Sequence, residues 1–100
     1  MCALPASHRI DLNELATQLE ARQVALIEEM RLPEICGECE LGAEPPIGRL
    51  FGMATVMDES LLADDCVMFQ AGSHDRSITM TMADYRRLAQ PEIAHFGRHL

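Results

Sequence analysis

Apolar residues fall at Leu12, Leu15, Ala16, Leu19, Leu26, Ile27 and Met30, mostly three or four apart. This spacing predicts an amphipathic helix over residues 12–32, ended by Pro33. Asp11 is a good N-cap. Glu14, three residues on, completes a capping box, in which each side chain meets a backbone N–H that the first turn leaves free. Ile10 and Leu15 take the two apolar positions that staple such a cap. At about 1.5 Å per residue the helix would be roughly 30 Å long. Gln23 stands in the centre of the stripe, where the pattern asks for an apolar residue. It implies a hydrogen bond within the core, or a seam where a second copy of the helix packs.

Beyond Pro33 the regular pattern stops. Gly37, Gly42, Pro45, Pro46 and Gly48 break any element over residues 33–48, and a loop of that length usually has a function, holds a metal or is disordered. Residues 49–57 are apolar on both faces, which suits a buried strand, although the pattern also fits a helix. Residues 58–65 read as a turn with a short helical piece around Leu61 and Leu62. Ile78, Met80 and Met82 then alternate with Thr79 and Thr81, so residues 67–71 and 77–82 predict a hairpin across a turn at residues 72–76. Thr81 and Asp84 are spaced as a second capping box for a helix that turns Tyr85, Leu88 and Ala89 inward. Pro91 kinks that helix or starts another, and Ile93, Phe96 and Leu100 continue an apolar stripe to the end. The expected fold is α+β: one domain over residues 1–100 with a long N-terminal amphipathic helix, an antiparallel sheet of two or three strands, and one or more C-terminal helices.

Charge sharpens this picture. Ten of the sixteen acidic residues lie between Glu28 and Asp65: Glu28, Glu29, Glu34, Glu38, Glu40, Glu44, Asp58, Glu59, Asp64 and Asp65. Only Arg31 and Arg49 oppose them, so this segment carries the whole net charge of −8. A surplus this local makes a negative field on one side of a molecule and attracts a basic partner. It argues against direct nucleic-acid binding, which needs basic groups to displace counterions from phosphates. All eight basic residues are Arg, which points to a GC-rich, bacterial or phage genome. The seven Met residues serve as adaptable core filler where aromatics are few. The first ten residues lack the continuous apolar stretch of a secretory signal, and no run approaches the roughly 20 apolar residues of a membrane helix. A cytoplasmic protein is therefore expected, with reduced thiols or metal ligands in place of disulfides.

Candidate chemistry is sparse. Cys36 and Cys39 form a C-x-x-C pair that can hold two corners of a tetrahedral zinc site, with Cys66 and His74 as the further ligands. Redox chemistry suits the pair less, because the neighbouring carboxylates repel a thiolate. His95 and His99 have metal-gripping spacing on a helix but lack a third ligand. Ser73, His74 and Asp75 are contiguous, whereas a catalytic triad is assembled from distant residues. These features point to a non-enzymatic regulatory or inhibitory protein with no cofactor. Its ten acidic residues would bind and block another protein, one with a basic, nucleic-acid-binding surface. A small zinc-stabilised module is the alternative, and homodimerisation through residues 12–32 is compatible with either.

Overall fold

The computed structural model describes residues 1–100, and its element order departs from expectation at both ends. Strands β1 (Cys2–Ala3) and β2 (His8–Ile10) precede a two-turn helix α1 (Leu12–Gln18). Strand β3 (Val56–Asp58) comes next, then β4 (Cys66–Gln70), β5 (Ser77–Thr81), helix α2 (Met82–Ala89), β6 (Glu92–Ala94) and β7 (Gly97–His99). Short 3-10 turns occupy Glu29–Glu34, Gly48–Phe51 and Glu59–Ala63. The strands form three small sheets: parallel β1-β3-β6, antiparallel β2-β7, and the β4-β5 hairpin. The fold is mixed α/β, and the expected α+β fold with a long N-terminal helix is corrected.

Helix α1 starts where the capping box places it, with the Glu14 N–H donating to Asp11 Oδ1 at 3.0 Å. It stops two turns later. Glu20 turns left-handed (φ 56°), and the N–H groups of Glu20 and Ala21 donate back to the carbonyls of Thr17 (3.2 Å) and Ala16 (2.8 Å). These paired bonds close off the last free carbonyls of a helix. Gln23 thus marks the end of one apolar pattern. Leu15 is buried, whereas Leu26 and Met30 are 70% and 79% exposed. The seam proposed for a dimer has no helix to rest on.

The C-terminus departs for a different reason. Helix α2 is capped by Thr81 as predicted (Asp84 N–H to Thr81 Oγ1, 3.1 Å) and ends at left-handed Gln90, immediately before Pro91. The stripe beyond Pro91 forms strands. β6 pairs in parallel with β3 (Val56 opposite Glu92) and β7 pairs with β2 (Ile10 opposite Gly97). The expected strand over residues 49–57 shrinks to β3, because Gly52 at φ 72° ends a 3-10 turn there. The hairpin runs from Cys66 opposite Thr81 to Gln70 opposite Ser77.

β3 is the centre of the molecule, and all three of its residues are buried. Met57 joins Ala3, Met82, Tyr85 and Ala89 in one core, while Val56 joins Leu15 and Phe96 in a second. The alternation of a strand directs neighbouring side chains to opposite faces, so β3 serves both cores. Asp58, the third residue, is 1% exposed. Its carboxylate accepts N–H donors from Phe96 (2.8 Å), Gly97 (2.6 Å) and Ser60 (3.1 Å), and the Ser60 hydroxyl. A Cβ at Gly97 would meet that carboxylate at 2.9 Å, so only glycine fits. Burial alone pushes the Asp58 carboxyl up. The bonds from Ser60, Phe96 and Gly97 outweigh it and pull the group down to about 2.

Asp58→Ala strands the amides of Phe96 and Gly97, and should lower stability by about 3 kcal/mol at pH 7 in urea denaturation. Folding depresses this carboxyl below its ordinary 3.8, so its contribution is complete above about pH 5 and is lost as pH falls toward 2. The stability gap between wild type and Asp58→Ala should therefore narrow steadily over that window.

Candidate functional site in the anchored loop

Residues 36–47 have no regular structure, yet they are tied down along their length, up to Gly48 at the start of the next 3-10 turn. Glu40 N–H donates to Gly72 O (2.7 Å), and Gly72 N–H donates to Ala43 O (2.9 Å). The Glu40 carboxylate accepts the His74 N–H (3.0 Å), and the His74 ring Nε2 meets Leu41 O (2.7 Å). The Tyr85 hydroxyl donates to Pro46 O (2.6 Å), and Gly48 N–H donates to Thr55 Oγ1 (2.7 Å). Gly42 adopts φ 81°, the left-handed turn that glycine enters without strain. Backbone groups that a surface loop would leave to water are bonded to the hairpin turn and to α2 instead.

This loop separates two apolar cavities. Residues 44–47 alternate between them: Glu44 and Pro46 line one, Pro45 and Ile47 the other. Alternation with period two is the signature of an extended segment, and two successive prolines stiffen it. The cavity on the Glu44 side holds about 440 Å³ and is walled by Ile10, Leu12, Leu15, Val24, Ile27, Ile35 and Met53. The cavity on the other side holds about 500 Å³, between Phe51, Phe69, Ile78, Met80 and Leu88, with Cys36 and Cys39 at its edge. Both fall in the size range of small-molecule sites.

The Glu44 cavity stands out electrostatically. Glu44 is the one acidic residue among its lining residues, and its Oε1 is the one buried side-chain oxygen or nitrogen in the chain with no hydrogen-bond partner. The Met1 ammonium, also at this cavity, donates to Ala54 O (2.9 Å). A buried carboxylate oxygen without a partner costs about 1–3 kcal/mol, although the Glu44 residue as a whole is only partly buried. Cys2 lines the same cavity. Burial pushes its thiol up, against a smaller opposing effect of the N-terminal ammonium, so at neutral pH it is not a thiolate nucleophile.

The residues singled out in the sequence are dispersed. Cys36 and Cys39 are joined as a disulfide, with Cα atoms 5.5 Å apart. His74 is held against Leu41, and Cys66 lies exposed at the far end of β4 from the hairpin turn. No three His, Cys, Asp or Glu side chains come close enough to hold a metal, which corrects the zinc module of Cys36, Cys39, Cys66 and His74. Nor do the ten acidic residues form one face. Asp58 is buried, and Glu59 faces His95 Nδ1 (3.0 Å). Glu34 pairs with Arg31 (3.4 Å), and Glu40 braces the loop. Glu28, Glu29, Glu38, Asp64 and Asp65 are solvated on separate segments, and Glu44 turns inward. Ser73, His74 and Asp75 make no triad, since the Ser73 hydroxyl bonds Asp75 (2.5 Å) while His74 bonds backbone.

Comparison with known proteins decides the family. Residues 1–88 match the aminoacyl-tRNA editing domain. The chain belongs to that family. It is 33% identical over 99 residues to the multifunctional Ser/Thr-tRNA deacylase ProXp-y of Escherichia coli K12, and equally to that of Escherichia coli O157:H7. The match takes in 98% of this chain and 59% of those relatives, so the chain spans little more than half their length. A solved structure from work on epitope backbone grafting onto scaffold proteins by computational design superposes with a TM-score of 0.83. It is 18% identical and covers 97% of this chain and 63% of that one, which establishes the fold alone. No helix is long and apolar enough to cross a membrane.

Membership of an editing-domain family overturns the expectation of a non-enzymatic inhibitor and, with it, the exclusion of direct nucleic-acid contact. The charge argument weighed only the surplus of residues 28–65 and set aside the arginines outside it. Arg9 and Arg98 stand directly opposite each other on β2 and β7, and Arg86 and Arg87 are adjacent on α2, so basic groups are grouped locally on an acidic protein. Glu44 was counted only as one surface acid among ten. The available signal was its setting, a lone carboxylate between Ala43 and two prolines in a loop too long to be a simple connector.

Tyr85 carries the mechanical load of this loop. Burial pushes its hydroxyl up to about 12, so it stays protonated and remains a donor to Pro46 O. Tyr85→Phe should cost about 1–2 kcal/mol in thermal or urea unfolding. It should also speed amide hydrogen exchange across residues 42–48.

Proposed function

We propose that this chain forms the aminoacyl-binding part of a tRNA deacylase that removes serine or threonine from tRNA by hydrolysis. The observation that carries this reading is the 33% identity to the E. coli Ser/Thr-tRNA deacylase along 98% of the chain. The anchored loop and its cavity support it. A cavity of about 440 Å³ takes an aminoacyl group with part of the terminal ribose, and the wall that Glu44 and Pro46 give it fixes where the ester lies. In the reaction, water adds to the ester carbonyl, the bond to the terminal ribose oxygen breaks, and that oxygen takes up a proton. The products are the free amino acid and uncharged tRNA. Neither Cys2 nor Ser73 has the surroundings of an activated nucleophile, since the Cys2 thiol is pushed up by burial and the Ser73 hydroxyl is spent on Asp75. A tRNA substrate is in keeping with the cytoplasmic location expected from the sequence.

Incubation of the purified chain with Ser-tRNA, Thr-tRNA and Leu-tRNA, following the esterified amino acid that remains, tests this reading. Loss of serine and threonine at least tenfold above the buffer rate is expected, with leucine retained. Equal, buffer-like rates for all three would overturn it.

A further inference from the structure

We propose that the Cys36–Cys39 disulfide is a reversible redox lock on a strap, residues 22–35, that closes one side of the cavity of about 440 Å³. Val24, Leu26, Ile27, Leu32 and Ile35 of this strap form one wall of that cavity. The strap is weakly held. Every hydrogen bond of residues 22–39 stays within the segment: the Arg31 N–H donates to Glu28 O (2.9 Å), Ile35 and Cys36 both donate to Leu32 O (2.9 and 3.1 Å), and the Cys39 N–H donates to Cys36 O (3.3 Å). None of these residues is buried, and Val24 alone packs against a buried core, that of Leu15, Val56 and Phe96. Both ends, by contrast, are fixed. Glu20 and Ala21 bond back into α1, and Glu40 is clamped to Gly72 O and the His74 N–H. The disulfide joins Cys36, where the strap ends, to Cys39, the residue before that clamp. It lies against the hairpin turn, since a Cβ at Gly72 would come 3.9 Å from Cys39 Sγ. The bond thus carries the order of the clamp across Gly37 and Glu38 to the end of the strap.

The setting suits reversible use. Cys36 and Cys39 are only half-buried and the two residues between them are exposed, so a small thiol reaches the sulfurs. Closing so short a loop removes little entropy from the unfolded chain, so the restraint is local and the fold stands without it. Where aminoacyl-tRNA is found, thiols are kept reduced, and disulfides formed there are mostly transient ones that catalyse or sense. That step, like the identity of the cavity's ligand, rests on the reading above, whereas the lock itself does not. In the exchange, a thiolate of a small dithiol attacks one sulfur, the Cys36–Cys39 bond breaks, and the other sulfur leaves with the electron pair and takes up a proton. The second thiol of the reductant then attacks the mixed disulfide, which frees the remaining cysteine and leaves the reductant as a disulfide. The protein gains two electrons and two protons, and an oxidised dithiol restores the bond by the reverse path. Oxidised, the strap is held on the cavity. Reduced, its C-terminal end is free to lift, and the wall goes with it.

The strap carries Arg22 and Arg31 and the chain has no Lys, so trypsin reports on it directly. Cleavage requires the backbone to open locally. Three proteins are compared: oxidised wild type, wild type reduced with dithiothreitol and freed of it under nitrogen, and the Cys36→Ser/Cys39→Ser double variant. Thiol titration of the folded wild type should find two further thiols after reduction, and oxidised dithiothreitol should remove them again. Cleavage after Arg22 and Arg31 should run about tenfold faster or more in the reduced protein and in the double variant, with cleavage after Arg86 and Arg87 on α2 unchanged. Equal cleavage of the strap in oxidised and reduced wild type overturns the lock, and so does a double variant cut as slowly as the oxidised protein. Faster cleavage at Arg86 and Arg87 as well would make the bond a staple of the whole fold and overturn it too. A bond that dithiothreitol cannot open without unfolding the chain is not reversible, and rules it out. None of these outcomes involves tRNA. A chain that behaves as expected here yet leaves Ser-tRNA intact keeps the lock and loses only the deacylase reading.

Discussion

The carboxylate of Asp58 holds this chain together. It sits at the end of the central strand, 1% exposed, and gathers the amides of Phe96, Gly97 and Ser60 around one charge. A buried ion without partners would be ruinous, and one with three N–H donors and a hydroxyl is a strong fastener. Through it the last ten residues are drawn back across β3. Phe96 enters the second core beside Leu15 and Val56, and β7 pairs with β2, where Arg98 reaches Asp11 at the start of α1 (2.5 Å). The C-terminal strands, the N-terminal strands and the first helix all depend on that one side chain being ionised.

With the ends fixed, the middle of the chain has the freedom to be irregular. Residues 36–48 gain order from neighbours, chiefly Gly72, His74, Thr55 and Tyr85, in place of a helix or sheet of their own. An extended, proline-stiffened segment between two apolar cavities is a rigid way to display one carboxylate. Only 12 of 100 residues are buried, so much of the apolar surface is committed to walls and rims and little of it to core.

The features that were legible are those governed by near neighbours. Capping boxes at Asp11 and Thr81 act within three residues, and both helices begin where these boxes place them. The alternation of Ile78, Met80 and Met82 with two threonines likewise locates the hairpin, because a strand's two faces are written in adjacent residues. The failures share the opposite property. The stripe from Leu12 to Met30 looked continuous because apolar residues at helical spacing also occur where a chain leaves one core and borders a cavity. Cys36 and Cys39 looked like half of a metal site, since spacing cannot tell a thiolate pair from a disulfide. Among ten acids of one type, nothing local distinguished Asp58, the fastener, or Glu44, the cavity charge, from solvated neighbours.

By itself, then, the sequence determined the helix starts, the hairpin and the irregular loop, together with a charge surplus confined to residues 28–65. Tertiary structure alone decided that the segment after Pro91 becomes strand, because its amides find the Asp58 carboxylate 38 and 39 residues away. It alone turned Glu44 into the cavity. The physical reason is the same in both cases. The free energy of a carboxylate is set by the donors and walls around it, and those are supplied by residues that only the completed fold brings near.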